Sequence, residues 1–208
     1  MNMEKNEKWL EWAVKLQSIA QTGLFYAKDV FDTERYEQIR EISAEMLAYK
    51  TGISIDKVKD LFCNEIGYQT PKLDSRAAIF QGNKILLVKE KNGTWSLPGG
   101  WVDVTVSVKE NVIKEVKEEA GLDVAADLVI AVQDREKHNL PVYAYKVCKI
   151  FILCTVIGGS FEPNIETVES RYFGIDELPV LAEEKNNAEQ IRMCFDAYYA
   201  ENWKTLFD

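Results

Sequence analysis

The sequence predicts an α/β (α+β) protein with a small all-helical unit over residues 1–68 and a mixed α/β domain over residues 69–208. Three observations predict it. Up to about Gly67 the apolar residues recur at helical spacing, after about residue 70 their period switches to two, and strand-like runs then alternate with two helical ones.

In the first unit Trp9, Leu10, Trp12, Ala13, Leu16, Ile19 and Ala20 form one helical stripe, which Gly23 is expected to stop. Thr33 is placed to cap a second helix carrying Tyr36, Ile39, Ile42, Met46 and Leu47. Ser54 is placed to cap a third, through Val58, Leu61 and Phe62, ended by Gly67. "QTPKLD" reads as a linker. "SRAAIF", the turn "QGN" and "KILLVKE" then read as a β-hairpin, followed by the loop "KNGT" and the segment "WSLPGGW". A helix over 107–120 carries a capping box, Ser107 with Glu110, and stops at Gly121. Strands are expected near 124–134, 145–157 and 171–175, and a closing helix near 187–203. The chain has no internal repeat and no low-complexity segment.

Composition narrows the function classes. With 47% hydrophobic and 28% charged residues the chain is ordinary for a globular protein, and a net charge of −9 argues against broad nucleic-acid binding. An anionic substrate therefore needs a metal ion or a local basic cluster. Cys63, Cys148, Cys154 and Cys194 form no CxxC pair, which points away from a zinc site and a disulfide framework. The charged start, with no apolar h-region and no apolar run of about 18 residues, leads to the expectation of a cytoplasmic protein without a membrane partner.

The sharpest feature is "KEVKEEAGL". Glu115, Glu118 and Glu119 stand at i, i+3 and i+4, neighbours on one side of a helix, where like charges repel by about 0.2–0.5 kcal/mol per pair. On a helical wheel Glu119 falls inside the apolar stripe of Val108, Val112, Val116 and Ala120, Glu115 at its edge and Glu118 outside it. Glu118 has only Lys114 behind it, in the weaker orientation. A solvated acidic face is the plain alternative. A half-buried acidic cluster without basic partners is better matched to a hard divalent cation bound by oxygen ligands.

These residues carry a family resemblance. Gly100 to Leu122, "GWVDVTVSVKENVIKEVKEEAGL", resembles the Nudix box, G-x5-E-x7-R-E-U-x-E-E-x-G-U with U aliphatic. Gly100, Glu115, Val116, Glu118, Glu119, Gly121 and Leu122 match, "WSLPG" resembles the lead-in, and the likeness extends from about Leu73 onward. Val106 stands where the pattern has glutamate and Lys114 where it has arginine, two groups taken as supporting ones. Losing both together suits a rebuilt support better than a dead site. The resemblance implies an α/β/α sandwich around a mixed sheet. It also implies Mg²⁺-dependent (or Mn²⁺-dependent) hydrolysis of a nucleoside diphosphate linked to a group X. Glu115, Glu118, Glu119 and the backbone carbonyl of Gly100 would be the metal ligands. The base varies across the family, and here Glu166, in the late loop "EPNIETVESRYF", is preferred, with Glu118 second and Glu169 a further loop acid.

For substrate contacts the resemblance suggests Arg76, at the opening of the first strand, for the pyrophosphate; a surface arginine is the plain alternative. Asp134 and Arg135, in the charged loop "QDREKHN" with the lone His138, could touch phosphate or base, or simply be solvated. The stretch 12–48 resembles the helical domain of a bacterial subgroup of ADP-ribose and CDP-choline pyrophosphatases, which implies a homodimer. Trp9, Trp12, Phe25, Tyr26, Phe31 and Tyr36 are then core or interface residues, or reach an active site to hold a quaternary ammonium by cation–π contact. CDP-choline, cleaved to CMP and phosphocholine, is the preferred substrate, with ADP-ribose close behind. RNA ends are a possibility that the charge does not support. A nucleotide-binding sensor without hydrolysis is the reading from another class, and three intact carboxylates count against it.

Overall fold

Gly23 does not stop the first helix. A computed structural model describes residues 4–163 and 166–208, and in it α1 (Glu4–Tyr26) runs straight through that glycine. The residue serves packing instead: a Cβ there would lie 2.3 Å from the Tyr36 ring of α2 (Val30–Thr51). The cap of α2 is Asp29 rather than Thr33. The Asp29 carboxylate accepts from the backbone N–H groups of Phe31 and Asp32, while the Thr33 hydroxyl donates to the Asp29 carbonyl. Gly52, with φ of 70°, closes α2 in the left-handed conformation that glycine adopts at little cost. Ser54 caps α3 (Ile55–Phe62) as expected, and that helix ends at Cys63, before Gly67. Ala13, Ala44, Leu47 and Val58 form the buried centre of these three helices. The buried Ser43 hydroxyl donates to the Ala13 carbonyl at 2.7 Å across the α1–α2 contact.

The chain divides into two units, residues 1–71 with 142–145 and residues 72–141 with 146–208. The second holds seven strands among the described residues: β1 (Lys72–Gln81), β2 (Lys84–Glu90), β3 (Trp95–Ser96), β4 (Leu122–Asp134), β5 (Val147–Gly159), β6 (Thr167–Phe173) and β7 (Leu206–Phe207). Their order is β3-β2-β1-β5-β4-β7, with β6 on the other side of β2. β1 and β5 are parallel, β4 and β5 antiparallel, so the sheet is mixed.

The expected hairpin of β1 and β2 is paired only at its turn, Phe80 with Ile85 and Gln81 with Lys84. Beyond that the strands separate, and the segment after β3 takes the vacated edge of β1. Ala77 N–H donates to the Pro98 carbonyl at 2.8 Å, Ser75 N–H to Gly100 at 2.9 Å, and Val102 N–H to Leu73 at 2.9 Å. Gly99 makes this approach possible. Its φ is +142°, and a Cβ would lie 1.9 Å from the Ser75 carbonyl oxygen.

Helix α4 (Val108–Ala120) covers one face of the sheet and α6 (Ala188–Tyr199) the other. Val112, Val116 and Ala120 pack with Ala77, Ile79, Leu86 and Val88, while Ile191, Cys194 and Phe195 pack with Ala78, Ala131 and Phe151. Fully burying a valine-sized side chain stabilises by about 1.5–3 kcal/mol, so the α4 stripe is held firmly and its acidic edge is held with it. The short α5 (Arg135–His138) folds the charged loop after β4 into one helical turn. No helix among the described residues is long and apolar enough to cross a membrane.

Candidate active site

The acidic edge of α4 is positioned from both ends. Ser107 and Glu110 complete the capping box at its start, and Gly121, with φ of 68°, ends it. Between them the three glutamates take the exposures their wheel positions demand. The side chain of Glu115 is 13% exposed and that of Glu118 is 55% exposed, while Glu119 is buried.

Glu119 Oε2 accepts the Gly99 N–H at 2.8 Å, and the Glu119 carbonyl accepts the Thr167 hydroxyl at 2.6 Å. Burial pushes the Glu119 carboxyl up to about 7, against the opposing pull of Arg76 and the Gly99 N–H. Glu115 is also raised by burial, against Lys114. Gly100 lies beside Glu115: a Cβ on it would be 2.6 Å from Glu115 Oε2, so a larger residue there would push that flexible carboxylate aside. The Gly100 carbonyl already accepts from Ser75 N–H and has a second lone pair.

Contrary to the expectation of a cluster without basic partners, the acidic edge has one in Lys114. Lys114 Nζ lies 3.1 Å from Asp103 Oδ2, 3.3 Å from Glu115 Oε1 and 3.3 Å from Glu118 Oε2. These carboxylates, Asp103 first, raise the lysine above its ordinary value. Simple i−4 spacing did not foresee the extended reach of Lys114 or the arrival of Asp103 from the loop before α4. Among the described residues no three His, Cys, Asp or Glu side chains are grouped to hold a metal ion directly. The donor set nevertheless suits a hard cation. It comprises three carboxylates on one helix edge, a glycine cradle, and an ammonium already placed among oxygens as a stand-in charge.

Arg76 opens no fork to solvent. It is buried, and its guanidinium is bidentate to Asp74, Nε–Oδ2 at 3.0 Å and Nη2–Oδ1 at 2.7 Å, with Nη1 donating to the Leu97 carbonyl at 3.3 Å. The register of β1 with β5 sets Lys149 opposite Asp74, its Nζ 3.7 Å from Oδ2. Lys149 is buried, and among the described residues its Nζ has no hydrogen-bond partner; burial first, and then the Arg76 charge, lower it to about 7. Neither Asp74 nor Lys149 was marked by the sequence reading. A lysine in an otherwise apolar strand was the available signal.

Glu166 is exposed and precedes Thr167, whose hydroxyl donates to the Glu119 backbone carbonyl at the end of α4. Glu169 pairs with Lys89 at 3.6 Å and Arg171 at 3.9 Å. The "QDREKHN" residues are engaged within their own domain. Asp134 caps α5 through the Glu136 N–H at 3.0 Å. Arg135 is buried and donates to the carbonyls of Glu184 at 3.2 Å and Pro141 at 2.7 Å and to Glu136 at 2.9 Å. His138 Nε2 lies 2.6 Å from Asp208 Oδ2. The structure thus sets Glu115, Glu118 and Glu119 along α4 with Gly100 against Glu115, and it buries Arg76 and Arg135 where the sequence suggested open contacts.

A mixed sheet between helices, with a carboxylate edge beside a glycine turn, is the frame of a phosphoanhydride hydrolase, and comparison with known proteins agrees. Residues 71–194 match the NUDIX domain and residues 7–62 match the UDP-X-like, N-terminal oligomerisation domain. The chain belongs to the Nudix hydrolase family. It is 45% identical over 202 residues to a Bacillus subtilis (strain 168) protein named as a candidate ADP-ribose pyrophosphatase, covering 97% of each. It is similar to the crystal structure of an ADP-ribose pyrophosphatase from Streptococcus suis 89-1591, at 58% identity and a TM-score of 0.64. That match covers 67% of this chain and all (100%) of that one. The crystal structure of a UDP-X diphosphatase, at 32% identity and a TM-score of 0.63, matches 96% of this chain and 98% of its own.

Proposed function

We propose that this Nudix pyrophosphatase hydrolyses ADP-ribose to AMP and ribose 5-phosphate. The observation that carries the substrate is the near full-length likeness to a protein named for that activity, supported by the 58% identical structure of the same name. The preference for CDP-choline gives way, because these relatives' names point to ADP-ribose. A UDP-linked substrate is the second reading, favoured by the match of the helical unit and by the 32% identical diphosphatase.

Glu115, Glu118 and Glu119, with the Gly100 carbonyl, would hold a divalent ion, Mg²⁺ or Mn²⁺. Bound there, the ion supplies neutralisation of the charge that builds on the phosphate oxygens. Gly99 N–H holds one oxygen of Glu119, and Arg76 favours its ionised form despite burial. Arg76 thereby acts on the site through Glu119 rather than by gripping the substrate. The oxygen of an attacking water bonds to phosphorus as the bridging P–O bond breaks, and Glu166 takes the proton, with Glu118 the alternative. Asp134 and Arg135 shape the loop after β4. The match to an oligomerisation domain supports a homodimer.

The test is a competition: purified protein with Mg²⁺ and equimolar ADP-ribose, a UDP-sugar and CDP-choline, with products separated over time. AMP released first is the expected outcome. UMP first would install the second reading, and CMP first would restore the choline nucleotide.

A further inference from the structure

We propose that Lys114 is a tethered cation that competes with the divalent ion for Glu115 and Glu118, and that Asp103 is the anchor that draws it aside. This rests on the metal reading above. An ammonium has three donors, and Lys114 faces three carboxylate oxygens at nearly equal distance, 3.1 Å to Asp103 and 3.3 Å to Glu115 and Glu118. Two of those three belong to the metal set, and Asp103 does not. A dication bound to Glu115 and Glu118 cancels the negative charge that attracts the ammonium and repels it directly, so loading the ion shifts Lys114 toward its remaining partner.

The anchor is itself built into the fold. Asp103 N–H donates to Asn111 Oδ1 at 3.2 Å, and Asn111, fully buried on α4, donates to the Ser75 hydroxyl at 3.0 Å on β1. Asp103 is thus fixed over the helix by a chain of bonds that runs back to the sheet. Lys114 is 40% exposed and Asp103 and Glu118 are each 55% exposed, so those two ion pairs are weak ones that an arriving dication can displace, while Glu115, 13% exposed, is the firmer partner. The positive charge at position 114 then keeps the acidic edge tolerable without metal, and position 103 decides how readily it yields.

The experiment measures Mn²⁺ binding to the full-length protein by electron paramagnetic resonance of the free ion. Metal-free thermal unfolding is recorded in parallel to show that each variant is folded. Asp103→Asn leaves Lys114 on Glu115 and Glu118 and raises the Mn²⁺ Kd by about three- to fivefold, while Lys114→Met lowers it by a similar factor. Lys114→Arg, which keeps the charge, stays within about twofold of the parent. In the Lys114→Met background, Asp103→Asn has no further effect, because there is no cation left to anchor. Equal weakening by Asp103→Asn in both backgrounds would overturn the proposal, since Asp103 would then act only through its own charge. So would a Lys114→Met variant that binds no more tightly. A parent protein without saturable Mn²⁺ binding would instead overturn the metal assignment itself.

Discussion

Among the three glutamates of the proposed metal site Glu119 is the most constrained: it is buried, raised to about 7 and held by the Gly99 N–H. Glu119→Gln keeps an oxygen for that N–H and removes a charged ligand. We expect kcat to fall by at least about 100-fold with an unchanged circular dichroism spectrum; wild-type turnover would remove Glu119 from the metal set. Lys149 makes a different prediction. Its pKa in the folded chain, about 7, lies below the ordinary 10.5. Between those values the unfolded chain holds the extra proton, so stability rises with pH from about 7 toward 10 on account of this residue. The charged groups facing it are Asp74, Arg76 and Arg135. Lys149→Met leaves the Asp74–Arg76 pair intact, and we expect a higher Tm at pH 7 and a flatter Tm profile from pH 7 to 10. A drop in Tm at pH 7 would mean that the ammonium is a net stabiliser of Asp74.

At the scale of the element, the end of α4 is more exacting than its start. Gly121 has φ of +68°, and a Cβ on it would lie 2.2 Å from the Ser160 carbonyl oxygen, a backbone atom that cannot swing away. Gly121→Ala therefore combines a left-handed alanine with a backbone clash. We expect a loss of at least about 2 kcal/mol in urea unfolding. A change below about 0.5 kcal/mol would show that the turn into β4 is free to move. The same helix shows what was legible beforehand. Its caps, its stripe and the division of its glutamates into buried, edge and exposed follow from a period of 3.6 residues and local capping chemistry. Gly23 was read as a stop and is a contact with Tyr36, since the role of a glycine within a helical pattern depends on what packs against it.

At the scale of the molecule, the helical unit matches an oligomerisation domain, and it carries exposed aromatics, among them Phe25, Tyr26, Phe31, Tyr49 and Tyr68. Exposed apolar surface of that kind marks interaction sites. Sedimentation at micromolar concentration should give a dimer, and a monomer under those conditions would rule out the proposed homodimer.

The sequence by itself determined what is local: two units of different period, the caps of α3 and α4, the E-x-x-E-E edge and the glycine turn before it. Helical wheels and cap residues act over a few positions and can be read one after another. Only the tertiary structure decided what Arg76, Lys149, Arg135 and Asp103 do. The parallel register of β1 with β5 sets Lys149 against Asp74 and thereby frames the buried Arg76 fork. The parting of β1 from β2 admits residues 98–102 to the vacated edge and carries Asp103 to Lys114. Strand register and loop crossing join positions far apart in the chain, and long side chains such as lysine and arginine find partners only once those crossings are made.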